Sequence, residues 1–152
     1  MAYLDAYAEF ADAQAVTSSA ISNVMDLGDD NTLRGLGQGQ PVWLVVLTQT
    51  TATDTGSDAT LTVSLESDST ANLATSATVH YTTAALAFAA YATAGTVVAA
   101  VVLPIGLFER YVGVRFTVAA GPLTAGAFDA FLTTDYGVYR TYADRQPILA
   151  AA

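Results

Sequence analysis

The chain has 152 residues, a length that favours a single domain, and it contains neither cysteine nor lysine, which excludes disulfides and thiolate metal sites. Its 14 acidic and 5 basic residues give a net charge of −9, so neither nucleic acid nor an anionic membrane is an expected partner. Charged residues make up only 12% of the chain, against a usual ~25%, and 53% are hydrophobic. This composition favours a surface that other protein partly covers, although abundant alanine also raises the apolar fraction.

Residues 1–16 are predicted to form an N-terminal arm, for which two structures remain open. Tyr3, Tyr7 and Phe10 fall near one face of a helix, but the run barely reaches the ~12–15 residues that an isolated helix needs. An extended arm that becomes ordered on a partner fits equally well. The stretch has acids and no basic region, so a secretory signal is not expected.

The segment from residue 26 to 50, DLGDDNTLRGLGQGQPVWLVVLTQT, contains Gly35, Gly37 and Gly39 at alternate positions. A dinucleotide-binding loop needs a third glycine three residues after the second and a helix behind it, whereas here Gln40 and Pro41 lead into a strand. We therefore predict a surface turn. The oxygens of Asp26, Asp29, Asp30 and Asn31 lack the spacing of an EF-hand loop, so a solvated acidic loop is favoured over a Ca²⁺ site.

Strand patterns dominate the chain from residue 21 onwards. The run at 41–51 is apolar at both parities and predicts a strand that is buried on both faces, including Trp43. The run at 59–67 alternates and is expected to form a hairpin with its predecessor. Leu61, Val63 and Leu65 are predicted to face inward, and the outward residues are Thr60, Thr62, Ser64 and Glu66. Further strands are predicted at 21–28, 78–83, 96–104, 108–118 and 125–135.

Residues 81–108 contain no charged side chain and are long enough to cross a bilayer. Gly95 and Pro104 divide the segment at strand-like distances, and its flanks carry no positive bias, so no membrane span is expected. The predicted fold class is all-β: an antiparallel β-sandwich or jelly roll of about eight strands over residues 17–135, with a C-terminal arm at 136–152.

The sequence contains few residues that could form a catalytic or metal-binding site. His80 is the sole histidine, which argues against zinc, and no G-x-S-x-G motif is present for a serine nucleophile. We predict that His80 is hydrogen-bonded on a sheet face and that Glu109 and Arg110 form an ion pair at a strand edge. No enzymatic activity, no metal and no cofactor are expected.

The C-terminal arm combines tyrosines and arginines, the residue types that carry binding energy in buried contacts. The N-terminal arm is acidic, and the opposite charges of the two arms would orient them as they dock. We therefore expect both arms to dock on neighbouring subunits; the alternative is that they wrap their own sandwich. The candidate contact residues in the arms are Tyr3, Tyr7, Phe10, Tyr136, Tyr139, Arg140, Tyr142 and Arg145.

Six phrases, in order, resemble the capsid cement (decoration) proteins of tailed bacteriophages: FADAQAV, ISNVMDLGDD, GLGQGQPVWLVV, LTVSLESDST, LPIGLFERYVGVRFTV and AGAFDAFLT, which extend from about residue 10 to residue 133. The resemblance implies a jelly-roll module without an active site, made in the host cytoplasm. It also implies a homo-oligomer, a dimer or trimer, on the outer surface of the virion capsid, where it bridges major capsid protein subunits. The matching loop adds Asp29, Asp30 and Arg34 as contact candidates.

A second function remains open on the sequence, namely a jelly-roll module that binds carbohydrate or a receptor on a virion or cell surface. Such a module needs an exposed aromatic platform or a Ca²⁺-bearing loop. Trp43, the only tryptophan, is expected to be buried within its strand, which favours the cement protein.

Overall fold

The computed structural model describes residues 6–28, 34–36, 39–74 and 76–139. In this part of the chain a 3-10 turn at Ala6–Ala8 precedes the first strand, a one-turn helix α1 lies at Phe88–Tyr91, and a second 3-10 turn lies at Tyr136–Tyr139. The strands are β1 (Glu9–Ala15), β2 (Ala20–Asp26), β3 (Arg34–Gly35), β4 (Trp43–Thr53), β5 (Thr60–Asp68), β6 (Thr78–Thr82), β7 (Val97–Val102), β8 (Leu107–Phe108), β9 (Tyr111–Ala119) and β10 (Ala125–Thr133).

The eight longer strands form two four-stranded antiparallel sheets. The first sheet has the order β1-β10-β4-β7 and the second has the order β2-β9-β5-β6, while β3 and β8 pair in a small separate sheet. Successive long strands cross from one sheet to the other except at β5–β6, which is the connectivity of a jelly roll. The predicted β-sandwich is therefore confirmed.

The core lies between the two sheets and follows the predicted alternation of apolar residues. Leu61, Val63 and Leu65 of β5 are fully buried, as predicted. Phe116 and Phe128 meet across the core with ring centroids 5.6 Å apart. Tyr91 of α1 is also fully buried, and its hydroxyl donates a hydrogen bond of 3.0 Å to the carbonyl of Ala59. The same burial raises the pKa of the Tyr91 phenol.

β4 is buried on both faces in its first half, as its sequence predicts. Leu44 and Val46 belong to the core cluster, and Val45 on the opposite face is equally buried. Trp43, however, is half-buried at the start of the strand, so the prediction of a buried tryptophan is wrong. Trp43 is the first residue of β4 and lies at the end of the sandwich, where side chains are only partly covered.

The predicted hairpin between β4 and β5 is wrong because the two strands belong to different sheets. The turn between them crosses the sandwich and is organised by Asp54. One carboxylate oxygen of Asp54 accepts hydrogen bonds from the backbone N–H groups of Asp58 at 2.9 Å and Ala59 at 3.0 Å. These bonds, that from Ala59 foremost, lower the pKa of Asp54. An alternating strand after a turn is equally compatible with a hairpin and with a crossing between sheets.

After the 3-10 turn at Ala6–Ala8, the N-terminal region is extended, and residues 9–15 form an edge strand of the first sheet. β1 pairs antiparallel with β10 through two register shifts. At the bulge Ala13 has φ of 47°, and its N–H donates to Asp129 Oδ1 at 2.7 Å. Phe10 is only 1% exposed and lies in the core of its own subunit. It therefore packs the sandwich and offers no surface to a partner.

The uncharged stretch at 81–108 folds as separate short elements rather than as one helix. It contains the end of β6, α1, β7 and β8. In the part of the chain that the structure describes, no helix has the length and hydropathy needed to cross a bilayer.

Candidate partner-binding surface

The connections between strands divide the sandwich into two ends. One end, called here the apolar end, carries the described parts of 27–42, 69–77 and 103–110 together with Ala6–Ala8 and Tyr136–Tyr139. In the first sheet this end is bordered by three residues on neighbouring strands: Trp43 pairs with Thr133 on one side and with Val102 on the other. The opposite end carries 16–19, 54–59, 83–96 and 120–124, joined by bonds such as that from Leu123 N to Thr17 O.

Large apolar side chains that are exposed among the described residues all lie at or near the apolar end. Tyr7 precedes β1 there, Val102 ends β7, and Val79 lies one residue inside β6. Two more lie in the connection between β7 and β9. Their exposed fractions are 86% for Tyr7, 85% for Ile105, 54% for Val79, 53% for Leu107 and 40% for Val102. The exposed apolar side chains of the opposite end are small, mainly alanines of 83–96.

The segment that presents Ile105 and Leu107 is held in place by contacts with β3, His80 and Ser67. Leu107 and Phe108 form β8, which pairs with β3. The buried ring of Phe108 lies on the imidazole of His80 with centroids 4.0 Å apart. His80 in turn shares a hydrogen bond of 2.7 Å between its Nε2 and Ser67 Oγ, as the sequence predicts for a histidine on a sheet face.

The same serine fixes the following residue, Glu109, whose backbone N–H donates to Ser67 Oγ at 3.1 Å. Ser67 is completely buried, so its contact with His80 is structural and does not create an accessible nucleophile. Desolvation lowers the pKa of His80, and the nearby charge of Glu109 acts in the opposite direction. The network therefore keeps the imidazole predominantly neutral near pH 7 and the 107–109 segment in place.

The predicted ion pair between Glu109 and Arg110 is not formed. Arg110 instead makes two charge-assisted hydrogen bonds of 2.9 Å to the two carboxylate oxygens of Asp26, while Glu109 accepts a bond from Thr78 Oγ1. Glu109 and Arg110 lie in the short link between β8 and β9, where the folded chain brings each of them to a different partner. The salt bridge therefore joins Asp26, the last residue of β2, to the residue just before β9.

The connection 69–77 folds over the outer face of the second sheet. Its Leu73 is fully buried, and its backbone carbonyl accepts a hydrogen bond from Arg115 Nη2. Arg115 also pairs with Glu66 at 2.8 Å. The hydrogen bond that Arg115 donates to the Glu66 carboxylate raises the pKa of Arg115. Ser64 and Glu66, predicted to face outward, do so but are buried. The connection 69–77, which directly follows the strand, folds back over this face and is held to Glu66 through Arg115.

Tyr136 is the first residue of the 3-10 turn after β10 and lies at the apolar end. Its ring stacks on the indole of Trp43 with centroids 4.3 Å apart and planes 16° apart. On the same outer face, one register step inward, Val45 and Phe131 are buried. The first residue of the predicted C-terminal arm thus packs on its own subunit.

The structure brings several predicted contact residues to the apolar end and leaves others undescribed. Tyr7 and Tyr136 lie there with their side chains described, and the backbones of Arg34 in β3 and Tyr139 in the 3-10 turn lie there too. Phe10 lies in the core instead. Six predicted residues fall outside the described residues: Tyr3, Asp29, Asp30, Arg140, Tyr142 and Arg145.

The exposed aliphatic residues of the apolar end were not predicted from the sequence. Val102, Ile105 and Leu107 belong to the uncharged run VVLPIGL, and the strand pattern around them stops at Pro104. Uncharged aliphatic residues on both sides of a proline that ends the strand pattern were the available signal. Among the described residues, no group of three or more His, Asp or Glu is arranged to hold a metal ion.

The fold and this surface define a jelly-roll β-sandwich whose large exposed apolar side chains gather at one end. A family model described as Bbp16 matches residues 10–132, so the chain belongs to the Bbp16 family. No curated protein matches the chain.

Proposed function

We propose that this protein is a structural virion protein that cements a phage capsid by bridging adjacent major capsid protein subunits from the outside. The matched family range, 10–132, nearly coincides with the stretch that resembles cement proteins, about 10 to 133. The jelly roll agrees with the fold that the resemblance implies.

The observation that carries this proposal is the asymmetry between the two ends of the sandwich. Tyr7, Ile105 and Leu107 are more than half exposed at the apolar end, although a soluble protein gains nothing from such exposure when it is alone. Large exposed apolar side chains that gather on one part of a surface are typical of a protein–protein interaction site. The apolar end is therefore the surface that docks on the capsid.

A cement protein acts by mass action and repetition. A ligand that binds only the assembled shell stabilises the shell, and many weak contacts over a lattice add up to a large effect. The net charge of −9 helps to keep the protein in solution before it binds the shell. The proposed site of action is the outer capsid surface, after synthesis in the host cytoplasm.

The experiment that tests the proposal is co-sedimentation of the protein with empty heads of its phage, followed by heating of the decorated heads. We expect wild-type protein to sediment with the heads and to raise the temperature at which they break. Ile105→Asp and Leu107→Asp should abolish both effects, because each would bury an unpaired charge in the docking interface.

The matched control is Ala85→Asp, which adds the same charge to an exposed residue at the opposite end. It should bind and stabilise heads as the wild type does. Wild-type protein that stays in the supernatant would overturn the proposal, and so would Ile105→Asp or Leu107→Asp variants that bind like Ala85→Asp.

A further inference from the structure

Ser67 joins His80 and Glu109 in a chain of hydrogen bonds at the apolar end. Its Oγ accepts a bond of 3.1 Å from the backbone N–H of Glu109 and lies 2.7 Å from His80 Nε2. Because Ser67 is completely buried, its own hydroxyl hydrogen needs an acceptor within the protein. In the part of the chain that the structure describes, that acceptor is His80 Nε2. The hydrogen bond therefore runs from the Ser67 hydroxyl to the imidazole.

The direction of this bond fixes the protonation state of His80. A ring nitrogen that accepts a hydrogen bond carries no proton, so the imidazole is neutral and holds its proton on Nδ1. If Nε2 takes up a proton, it becomes a donor, and the Ser67 hydrogen is then buried without an acceptor. An unsatisfied buried hydroxyl is costly, so the chain of bonds is intact only while the ring is neutral.

Glu109 is the charged group that acts on His80 from the link between β8 and β9. Its carboxylate favours the imidazolium, but burial of the ring has the larger effect and lowers the pKa of His80. Arg110, the next residue, is engaged with Asp26 in a salt bridge of 2.9 Å. β8 contributes Phe108, whose uncharged ring lies on the imidazole. The charge on this side of the ring therefore comes from Glu109.

The two neighbouring strands, as far as the structure describes them, add no further charge on the side of the imidazole. On β5 the acids Glu66 and Asp68 flank Ser67, and the alternation of a strand turns them to the opposite face. On β6 the neighbouring titratable residue is Tyr81, whose phenol stays neutral in acid. The state of the ring thus depends on its burial, on Glu109 and on the bond from Ser67.

The 107–109 segment that this network holds carries part of the docking surface. The side chain of Leu107 is 53% exposed at the apolar end, and Ile105, two residues earlier, is 85% exposed. The next two residues are held by the network, since the ring of Phe108 lies on the imidazole and the N–H of Glu109 bonds to the serine hydroxyl. A change at the imidazole therefore reaches the exposed residues through the backbone that carries them.

We propose that His80 makes docking on the capsid dependent on pH: the neutral imidazole holds the 107–109 segment in place, and protonation of Nε2 releases it. His80 and Ser67 are thus positioning residues for the docking surface. The docked state needs the neutral ring, so docking should be strong at neutral pH. It should weaken as the pH falls below about 6.5, the ordinary pKa of histidine. The partner in this inference rests on the proposed function, whereas the release is a property of the free protein.

The free protein tests the release in an NMR titration from about pH 7.5 to about pH 5, above the range in which most carboxylates take up protons. At neutral pH the nitrogen shifts of the ring should place its proton on Nδ1. The backbone amide resonance of Glu109 should then move with the same midpoint as the ring of His80. A neutral ring with its proton on Nε2, or a Glu109 amide that does not respond to the titration, overturns the inference.

The matched control for the titration is His80→Gln. The side-chain carbonyl of glutamine accepts the Ser67 hydroxyl throughout this pH range, so the Glu109 amide should stay in place. Glu109→Gln removes the charge that favours the imidazolium and should move the midpoint of the ring to lower pH. A Glu109 amide that still moves in His80→Gln, or a midpoint that does not fall in Glu109→Gln, overturns the inference as well.

Docking itself is tested by co-sedimentation with empty heads at about pH 7.5 and about pH 5. His80→Gln measures the pH dependence of the heads themselves. Beyond it, the affinity of the wild type should fall by about 3-fold to 30-fold, where the upper bound corresponds to a ring pKa just below 6.5. Equal losses for the wild type and His80→Gln contradict the inference. Wild-type protein that fails to bind at neutral pH overturns the proposed function instead, and the NMR titration then decides the release.

Discussion

The indole ring of Trp43 stacks on the ring of Tyr136, with centroids 4.3 Å apart, at the end of the sandwich that carries the exposed aliphatic residues. Trp43 begins the long central strand β4, and Tyr136 follows the last strand, β10. The pair therefore ties the C-terminal 3-10 turn to the rim of the first sheet. It also places the only tryptophan of the chain where its fluorescence reports on the apolar end.

Tyr136→Ala should lower the free energy of unfolding by about 2 kcal/mol, since it removes a stacked aromatic pair and part of its buried area. Tyr136→Phe keeps the ring and should lose much less. Urea unfolding followed by Trp43 fluorescence measures both. An alanine variant as stable as the phenylalanine variant would show that the stack does not hold the turn.

Arg115→Met should destabilise the fold by about 2–3 kcal/mol, because it leaves the buried Glu66 carboxylate without its partner and releases the carbonyl of Leu73. Arg115 is partly exposed, which keeps the loss below that of a fully buried pair. The double variant with Glu66→Leu should lose less than the sum of the single variants. Hydrogen exchange should rise first in residues 69–77; unchanged exchange there would contradict the role of Arg115.

Gly113→Ala should cost about 1–2 kcal/mol, since a Cβ at this position would lie 2.7 Å from Leu73 Cδ1. The matched control is Gly106→Ala, where the nearest atom would be 4.0 Å away. Thermal unfolding of the two variants compares them directly. Equal melting temperatures would mean that the 69–77 connection does not pack tightly on the second sheet.

Stability should depend on pH through His80. Burial lowers the pKa of this imidazole below the 6.5 of an exposed histidine, so below that pH the unfolded chain binds the extra proton more readily. The free energy of unfolding should therefore reach its highest value, as far as His80 is concerned, above about pH 6.5. It should decrease as the pH falls from there through the lowered pKa. Asp54, whose pKa is also lowered, loses its contribution only below 3.8, in a separate window.

His80→Gln should flatten the slope between neutral pH and the onset of carboxylate protonation, since His80 is the only histidine. Urea unfolding at a series of pH values measures this slope. A slope that is the same in His80→Gln would assign the titration to another group.

The strands of this fold could be predicted from local patterns, while their partners could not. β5 and β9 follow a two-residue period that a sequence displays directly, and β4 shows by its apolar residues at both parities that both its faces are covered. Whether the turn at Asp54 joins two strands of one sheet or crosses to the other depends on contacts that only the folded chain makes. The assignment of Arg110 to Asp26 rather than to Glu109 has the same origin.

The candidate surface was only partly visible in the sequence. Tyr7 and Tyr136 were predicted from their residue type, and the structure places both at the apolar end. Phe10 has the same chemistry but lies in the core, because β1 extends the first sheet and turns that side chain inward. Ile105 and Leu107 were missed, since their exposure depends on the connection that carries them.

The measurement that tests the central claim most directly is a cryo-electron microscopy reconstruction of heads decorated with this protein. We expect the jelly roll on the outer surface, with Tyr7, Ile105 and Leu107 against the capsid subunits and the connections 54–59 and 120–124 facing solvent. A head without added density, or a sandwich whose opposite end lies against the shell, would contradict the account.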